Sequence, residues 1–547
     1  MLEVKTKVLI SGGGPVGLTL ALELSRQGVE CLIVNEQETT STHPKANAIN
    51  ARSMEHFRRL GVSSEIREAG LPENYPTDVT YVTRLTGYEI ARLSMPSRAR
   101  ALEEAKAGTS PYDCAEPPHR CSQIYLESIL YKSALQNPLI NVLFGYRLES
   151  FIESESEIIA NVENISNGEC IIIKADYLVG ADGGRSMVRR ELGIRYEGEA
   201  GIERRMMGGS MMATYFRLSR DLSWLKISPS WQYWIVSSDF RALLMTVNGK
   251  DEFVLLSRVQ ENTNNDRIDD LELISLAAGC SVDAEIILSQ SWTAGHALIA
   301  ESYGRRRVWL VGDSTHLFTP TGGLGMNTGV DDAINLAWKL SALVNGWGGP
   351  NLLSSYEEDR RPIGLRNLAF AKSFAESIGS FEVSSNIESE KFQGQEERRV
   401  LGSFLADHGK REFIIPGIVL GVRYENSSII WPDGTLPVRD DPYDYVPTSR
   451  PGSRAPHVWL AGGLALCDFF SPGFTLIRQN QENDINDLLS AANDIGVPIS
   501  LLDLEHDEIC EFYERELTLV GPDGHVTWRG DALPQNTINF LDRIRGM

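Results

Sequence analysis

The chain is poor in paired cysteines. Its seven cysteines stand at positions 31, 114, 121, 170, 280, 467 and 510. No two have CxxC spacing, and none is grouped with histidines at zinc-ligand spacing. An odd, scattered set excludes a disulfide scaffold and a zinc module, and it predicts reduced thiols in a cytoplasmic chain. Positive charge is scarce as well: 52 Lys and Arg stand against 74 Asp and Glu, a formal net charge of −22. The basic residues cluster only as Arg204-Arg205, Arg305-Arg306-Arg307 and Arg360-Arg361, so no nucleic-acid partner is expected. No apolar run approaches the roughly 20 residues of a membrane-spanning helix. Met1 to Lys7 lead into a strand pattern without a leader signature, and no membrane partner is expected.

What remains is ordinary globular material: 547 residues, 42 % hydrophobic and 23 % charged. That is enough for about three to four domains at about 150 residues each. Val8-Leu9-Ile10-Ser11 is a β-branched run closed by glycines, Leu18 to Gln27 has helical spacing, and Cys31-Leu32-Ile33-Val34 predicts a second strand. This βαβ opening predicts an α/β nucleotide-binding domain. Gln123 to Leu135 predicts a helix, and residues 139–180 alternate like several strands. From about 196 to 290 the texture changes. Met211–Leu218, Trp231–Val236, Arg241–Val247 and Glu252–Val259 predict an antiparallel sheet inserted into the α/β pattern. The pattern resumes at Val308–Val311 and a helix over 329–344. A polar stretch, Glu382 to Arg398, predicts a separator before the C-terminal part, where strands near 457–462 and 474–477 and a helix near 482–494 are expected.

Three motifs carry the chemistry. Gly12-Gly13-Gly14-Pro15-Val16-Gly17 is a GxGxxG between a strand and a helix. Its glycines allow a tight turn, close approach of a pyrophosphate and helix–strand packing, with free amides at the positive helix end. The residue expected to hold the ribose is Asn35 or Glu36 at the end of the next strand, and both stay open. Gly180-Ala181-Asp182-Gly183-Gly184 follows a later strand. Val311-Gly312-Asp313 follows another, and leads into Pro320-Thr321-Gly322-Gly323-Leu324-Gly325-Met326-Asn327. A carboxylate at a strand end suits a polyol, and glycines opening a helix suit an anionic ring oxygen.

In this order the three motifs resemble the single-component flavoprotein monooxygenases typified by p-hydroxybenzoate hydroxylase, over about 1–375. His43-Pro44-Lys45-Ala46 and Asn50-Ala51-Arg52-Ser53-Met54-Glu55 resemble the phenol-hydroxylase branch, as do Pro451–Pro456 and Gly473–Leu476 in the tail. The resemblance implies an α/β fold: a Rossmann-like FAD-binding domain (1–75, 121–195 and 296–400), an inserted antiparallel β-sheet substrate domain (76–120 and 196–295) and a C-terminal thioredoxin-like domain (401–547). Cys467 has no second cysteine at redox spacing, so that tail is no thiol enzyme. The resemblance further implies that Gly12, Gly14, Pro15, Val16 and Gly17 bind the FAD pyrophosphate and Asn35 or Glu36 its ribose. Arg52, Gln123 and Asp182 would contact the cofactors, Gly312 and Asp313 the ribityl chain, and Pro320, Gly323, Gly325, Met326 and Asn327 the isoalloxazine.

The chemistry implied is reduction of FAD by NAD(P)H as a transient co-substrate, reaction with O2 to a flavin hydroperoxide, and oxygen transfer to an electron-rich, small aromatic substrate. A Baeyer–Villiger or epoxidising oxygenase acting on a polycyclic intermediate shares these motifs. The branch implies a homodimer or higher homo-oligomer. A phenol must be made more nucleophilic. Where the branch has an acidic residue this chain has Asn47, so His43, Tyr215 and Tyr233 are the candidate catalytic residues. Met206, Met207, Met211, Met212, Trp231 and Trp234 predict a bulky apolar lining.

Overall fold

The computed structural model describes residues 2–199, 211–220, 222–225, 227–258, 269–292, 296–378, 382–504 and 507–547. Arg204, Arg205, Met206 and Met207 lie outside the described residues. The first sheet is built on continuous apolar runs, the pattern of parallel strands covered on both faces. Leu2–Ser11 lies at its centre, parallel to Cys31–Asn35 on one side and to Cys170–Gly180 on the other. Ile140–Phe144 extends it beyond Cys31–Asn35, and Val308–Leu310 beyond Cys170–Gly180. A hairpin, Tyr146–Glu153 and Ile158–Asn164, joins antiparallel. The register sets Ser11 opposite Gly180 and Gly180 opposite Leu310, so the strands that precede all three motifs end side by side.

Helices Pro15–Arg26 and Leu324–Val344 pack on each other against this sheet. Leu18, Leu20, Leu24, Val330, Leu336 and Leu340 are wholly buried there with Val8, Ile10 and Ile33. Each such side chain contributes about 1.5–3 kcal/mol through burial. Leu324–Val344 begins five residues before the expected position, because Gly325 and Gly329 are tolerated where a helix must lie against its neighbours. At Gly329 an added Cβ would come within 2.8 Å of Val16 Cγ2.

The second sheet has seven strands in the order Ala284–Trp292, Met211–Leu218, Glu252–Arg258, Arg241–Thr246, Gln232–Val236, Val79–Val82, Glu89–Leu93. The four strands expected between 211 and 259 are all present, and every pairing is antiparallel except Gln232–Val236 with Val79–Val82. Side chains alternate between its faces. One face, with Phe216, Tyr233, Ile235 and Leu255, is covered by helix Asp270–Ala278. The other, with Tyr81, Tyr215, Trp231, Trp234 and Met245, meets Ala375 and Leu405 on two long helices.

The C-terminal sheet runs Ile499–Asp503, Phe474–Arg478, Leu517–Val520, Val526–Gly530, the first pair parallel and the rest antiparallel. Helices Asn486–Asp494, Asp507–Tyr513 and Thr537–Ile544 complete a βαβαββα order. Two expectations are corrected. The polar separator becomes helical from Phe392 onward, because Gly394, Arg398, Gly402 and Leu405 form a buried stripe behind its charged face. No strand forms over 457–462. Gly462 and Gly463 at φ +79 and +77 turn the chain there, leaving a single bridge between Trp459 and Ala465. Among the described residues no helix is long and apolar enough to cross a membrane.

Candidate flavin and substrate site

The glycine turn is shaped by close approach of backbone to backbone. Gly12 adopts φ +113, and a Cβ on it would lie 2.2 Å from the Ala181 carbonyl oxygen. A Cβ on Gly17 would lie 2.0 Å from the Gly12 carbonyl oxygen. The Gly12 amide donates to Val34 O at 2.8 Å and the Ala181 amide to Ser11 O at 2.7 Å. Gly14, which caps the helix, differs: nothing lies within 4 Å of the place a Cβ would take. No side chain caps that helix start, and its first turn carries no acid. The amides of Val16 and Gly17 therefore keep the positive end of the helix free for an anion.

Asn35 and Glu36 divide. Asn35 Oδ1 accepts from the Gly13 amide at 3.1 Å and so braces the turn, while Glu36 is exposed beside it. Asp182 turns one oxygen inward to cap Met187–Glu191, accepting from the Met187 and Val188 amides at 2.7 and 3.1 Å. Its Oδ1 is buried without a hydrogen-bond partner. Burial pushes this carboxyl up, against the pull of Ser186 and the two amides. Gly312 (φ +66) rests on Val16, and Ser314 Oγ donates to Gly180 O at 2.7 Å. The third motif is thus stitched to the first two. Asp313 is exposed, yet desolvation by the atoms around it raises its carboxyl as well.

Pro320 opens a tight turn, Thr321–Gly323, that runs into helix Leu324–Val344. Gly325 and the half-buried Met326 lie in its first turn, Met326 against the central core. Asn327 is a brace: its Nδ2 donates to Ala48 O at 3.0 Å and to Gly323 O at 2.6 Å, and its Oδ1 accepts from the Asn50 amide at 2.9 Å. Gln123 holds the other end of that segment, its Oε1 accepting from the Ala46 amide at 3.2 Å.

Arg52 makes its own set of protein contacts. It is buried, and its guanidinium donates to Asp523 O at 2.5 Å and faces Glu55 and Asp331 at 3.4 and 3.6 Å. It belongs to an ionic lattice in which Arg360 pairs with Asp331 and Asp332, and Arg454 with Glu55 at 2.5 Å. The helix that carries Arg52 presents this face to the C-terminal part of the chain, through the Asp523 carbonyl.

The three candidate bases fare unequally. Tyr233 is fully buried on the sheet face under helix Asp270–Ala278, donating to Ser228 O at 3.0 Å. Strand alternation turns it away from the flavin motifs. Tyr215 lies on the nearer face, but its hydroxyl donates to Glu252 Oε2 at 2.7 Å, and burial together with that carboxylate drives its ionisation far upward. His43 is buried against strand Met211–Leu218, with Nε2 3.4 Å from Ala213 O, and burial lowers its pKa. Met211 and Met212 are buried in that strand, and Trp231 and Trp234 are buried at 1 % and 6 % exposure. Trp234 stacks on Tyr81 with ring centroids 6.2 Å apart, and Arg120 lies 3.9 Å over Trp231. No motif in the sequence marks Glu412. It touches the turn Thr321–Gly323 from helix Phe392–Phe413, accepting from the Gly322 amide at 3.2 Å. Its only sequence signal is an acid in the last turn of a helix, where the dipole disfavours it.

These donors fit FAD: an uncapped helix start behind Gly14, an unpartnered oxygen on Asp182 and a carboxylate at the end of the third strand. The model of the FAD binding domain family matches residues 5–371. The chain is 31 % identical over 562 aligned residues to FAD-dependent monooxygenase apdD of Emericella nidulans, covering 96 % of this chain and 88 % of that protein. It is 27 % identical to 2,4-dichlorophenol 6-monooxygenase of Delftia acidovorans, covering 96 % and 95 %. The structure of RebC with bound 7-carboxy-K252c, soaked with chromopyrrolic acid, superposes with a TM-score of 0.90 at 33 % identity, covering 100 % of this chain and 99 % of that one. The chain belongs to the FAD binding domain family and is a class A flavin-dependent monooxygenase with FAD as its cofactor.

Proposed function

We propose that this enzyme uses NAD(P)H and O2 to hydroxylate an electron-rich aromatic ring, phenolic or polycyclic. The observation that carries this reading is the meeting of the flavin-side turn Thr321–Gly323, through Glu412, with the aromatic sheet face of Tyr81, Trp231 and Trp234. FAD, when bound, supplies hydride acceptance and activation of O2. The glycine turn holds its pyrophosphate on the amides of Val16 and Gly17, Asp313 holds the ribityl hydroxyls, and Asn327 keeps the turn and the segment around Ala48 at fixed separation. The sheet face excludes water and lies along a planar ring. No second GxGxxG exists in the sequence, which supports transient docking of the nicotinamide cofactor rather than a second Rossmann site.

The seven-stranded sheet, built from 79–93 and 211–292, supports reading those segments as the substrate domain. The βαβαββα order of the tail supports a thioredoxin-like domain over 401–547. The test is NAD(P)H oxidation by the purified yellow protein in air, screened over phenols and polycyclic aromatics, with product mass. Stimulated oxidation with a ring product one oxygen heavier supports the reading. A lactone or epoxide, or no stimulation across the panel, refutes it.

A further inference from the structure

Glu412 is an acid in an expensive place. It is 3 % exposed in the last turn of helix Phe392–Phe413, where helix dipole and burial both disfavour negative charge. One oxygen, Oε1, accepts from the Gly322 amide at 3.2 Å. The other, Oε2, is buried and accepts no hydrogen bond. Among the described residues the only basic group within 4 Å is His408, whose Nδ1 lies 3.8 Å from Oε2. A carboxylate held for stability alone would be paired or capped on both oxygens.

The elements packed around it show the same half-satisfied pattern. On the facing sheet the Tyr81 hydroxyl and the indole nitrogens of Trp231 and Trp234 are buried without hydrogen-bond partners. All three side chains belong to one cluster with Leu405 of the Glu412 helix. The Tyr81 hydroxyl reaches that helix at Gly409, where a Cβ would come within 2.9 Å of it. Arg120 stands behind Trp231 at 3.9 Å, its guanidinium lowered to about 10 by burial. Burial drives the Glu412 carboxyl up to about 7, with the Gly322 amide pulling the other way. Such a group changes charge near neutrality, where a general base works best.

We propose that Glu412 is the catalytic residue that recognises and deprotonates the aromatic substrate: Oε2 accepts an acidic ring O–H or N–H while Oε1 stays on the Gly322 amide. The proton passes from the ring heteroatom to Oε2. The electron pair stays on the heteroatom and enriches the ring; when aromaticity is restored, the ring carbon that has taken up oxygen gives its own C–H proton to solvent and the proton on Oε2 returns to the product heteroatom. The deprotonation step rests on the hydroxylase reading; the recognition step does not.

The test separates the two. Holoenzyme is titrated with 2-naphthol and with 2-methoxynaphthalene, followed by tryptophan fluorescence, from pH 5.5 to about 8.5. Wild type should prefer the naphthol at least about tenfold above pH 7 and lose most of that preference below pH 6. Glu412→Gln should show little preference and no pH dependence, and Glu412→Asp should restore part of both. In turnover with whichever aromatic stimulates NAD(P)H oxidation most, Glu412→Gln should lower kcat by about 10²–10⁴-fold and remove the inflection near pH 7. Equal curves for the two probes in wild type, or no response to either, overturn the proposal. So does a Gln variant that keeps the wild-type preference and pH profile. If Glu412→Gln does not fold, the wild-type pH series alone decides. Wild type that shows the preference yet hydroxylates nothing supports the recognition and refutes the hydroxylase.

Discussion

Three neighbouring glycines in one motif should fail in different ways when each is replaced by alanine. At Gly17 the new methyl would sit 2.0 Å from the Gly12 carbonyl oxygen, and at Gly12 it would sit 2.2 Å from the Ala181 carbonyl oxygen with φ at +113. Both obstacles are backbone and cannot swing aside. Overpacking of this kind costs about 1–3 kcal/mol, and the positive φ at Gly12 adds about 1–2 kcal/mol. At Gly14 a methyl meets nothing within 4 Å, and φ is an ordinary −76. Exchanging glycine for alanine at that helix cap costs about 0.5–1 kcal/mol. The methyl does occupy the approach of the pyrophosphate to the Val16 and Gly17 amides. Gly14→Ala should therefore lower the urea midpoint of the apoprotein least of the three and weaken FAD binding at least about tenfold, or about 1.4 kcal/mol. Gly12→Ala and Gly17→Ala should lower the apoprotein midpoint as well. Apoprotein unfolding curves and FAD titration by flavin fluorescence measure the two quantities. A Gly14→Ala protein that binds FAD as wild type does would refute the placement of the pyrophosphate.

Arg454→Met strips the partner from the buried Glu55 and should cost about 3–5 kcal/mol in urea unfolding; a loss under 1 kcal/mol would show that the pair is idle. Burial pushes Glu55 up, but Arg454 and Arg52 outweigh it and bring its carboxyl down to about 2 from 4.5. The corresponding stability, about 3 kcal/mol, is present above pH 4.5 and is lost as pH falls towards 2, a loss that Glu55→Gln should flatten in pH-dependent unfolding. Glu412 has the opposite sign. Its raised carboxyl makes the wild type lose about 3 kcal/mol as pH rises from 4.5 through 7, so Glu412→Gln should gain relative stability between pH 5 and 8. Tyr233→Phe removes its hydrogen bond to Ser228 and should cost about 1 kcal/mol with kcat unchanged, and a collapse of kcat would return Tyr233 to the site.

The glycine turn and the two Asp motifs were legible because their requirements are local. A strand that must end in a turn with positive φ, next to a helix start, needs glycine at fixed offsets whatever surrounds it. The inserted sheet was legible for a similar reason, since strand alternation and turns recur within a few residues. Phe392–Phe413 was not, because its buried stripe of glycines, Arg398 and Leu405 is too weakly apolar to stand out from a polar segment. The surroundings of Arg52 were not legible, because its partners, Asp331 and Asp523, lie hundreds of residues away.

By itself, then, the sequence determined the dinucleotide cradle, the order of the three motifs along the chain and the flavin chemistry they imply, all set by backbone conformation over a few residues. Only the tertiary structure decided which face of the inserted sheet each aromatic occupies relative to the flavin motifs. It also committed Arg52 to an ionic lattice and brought Glu412 to the Gly322 amide. Those outcomes depend on which surfaces pack together, and burial, which fixes the charge state of each group, does not exist until they do.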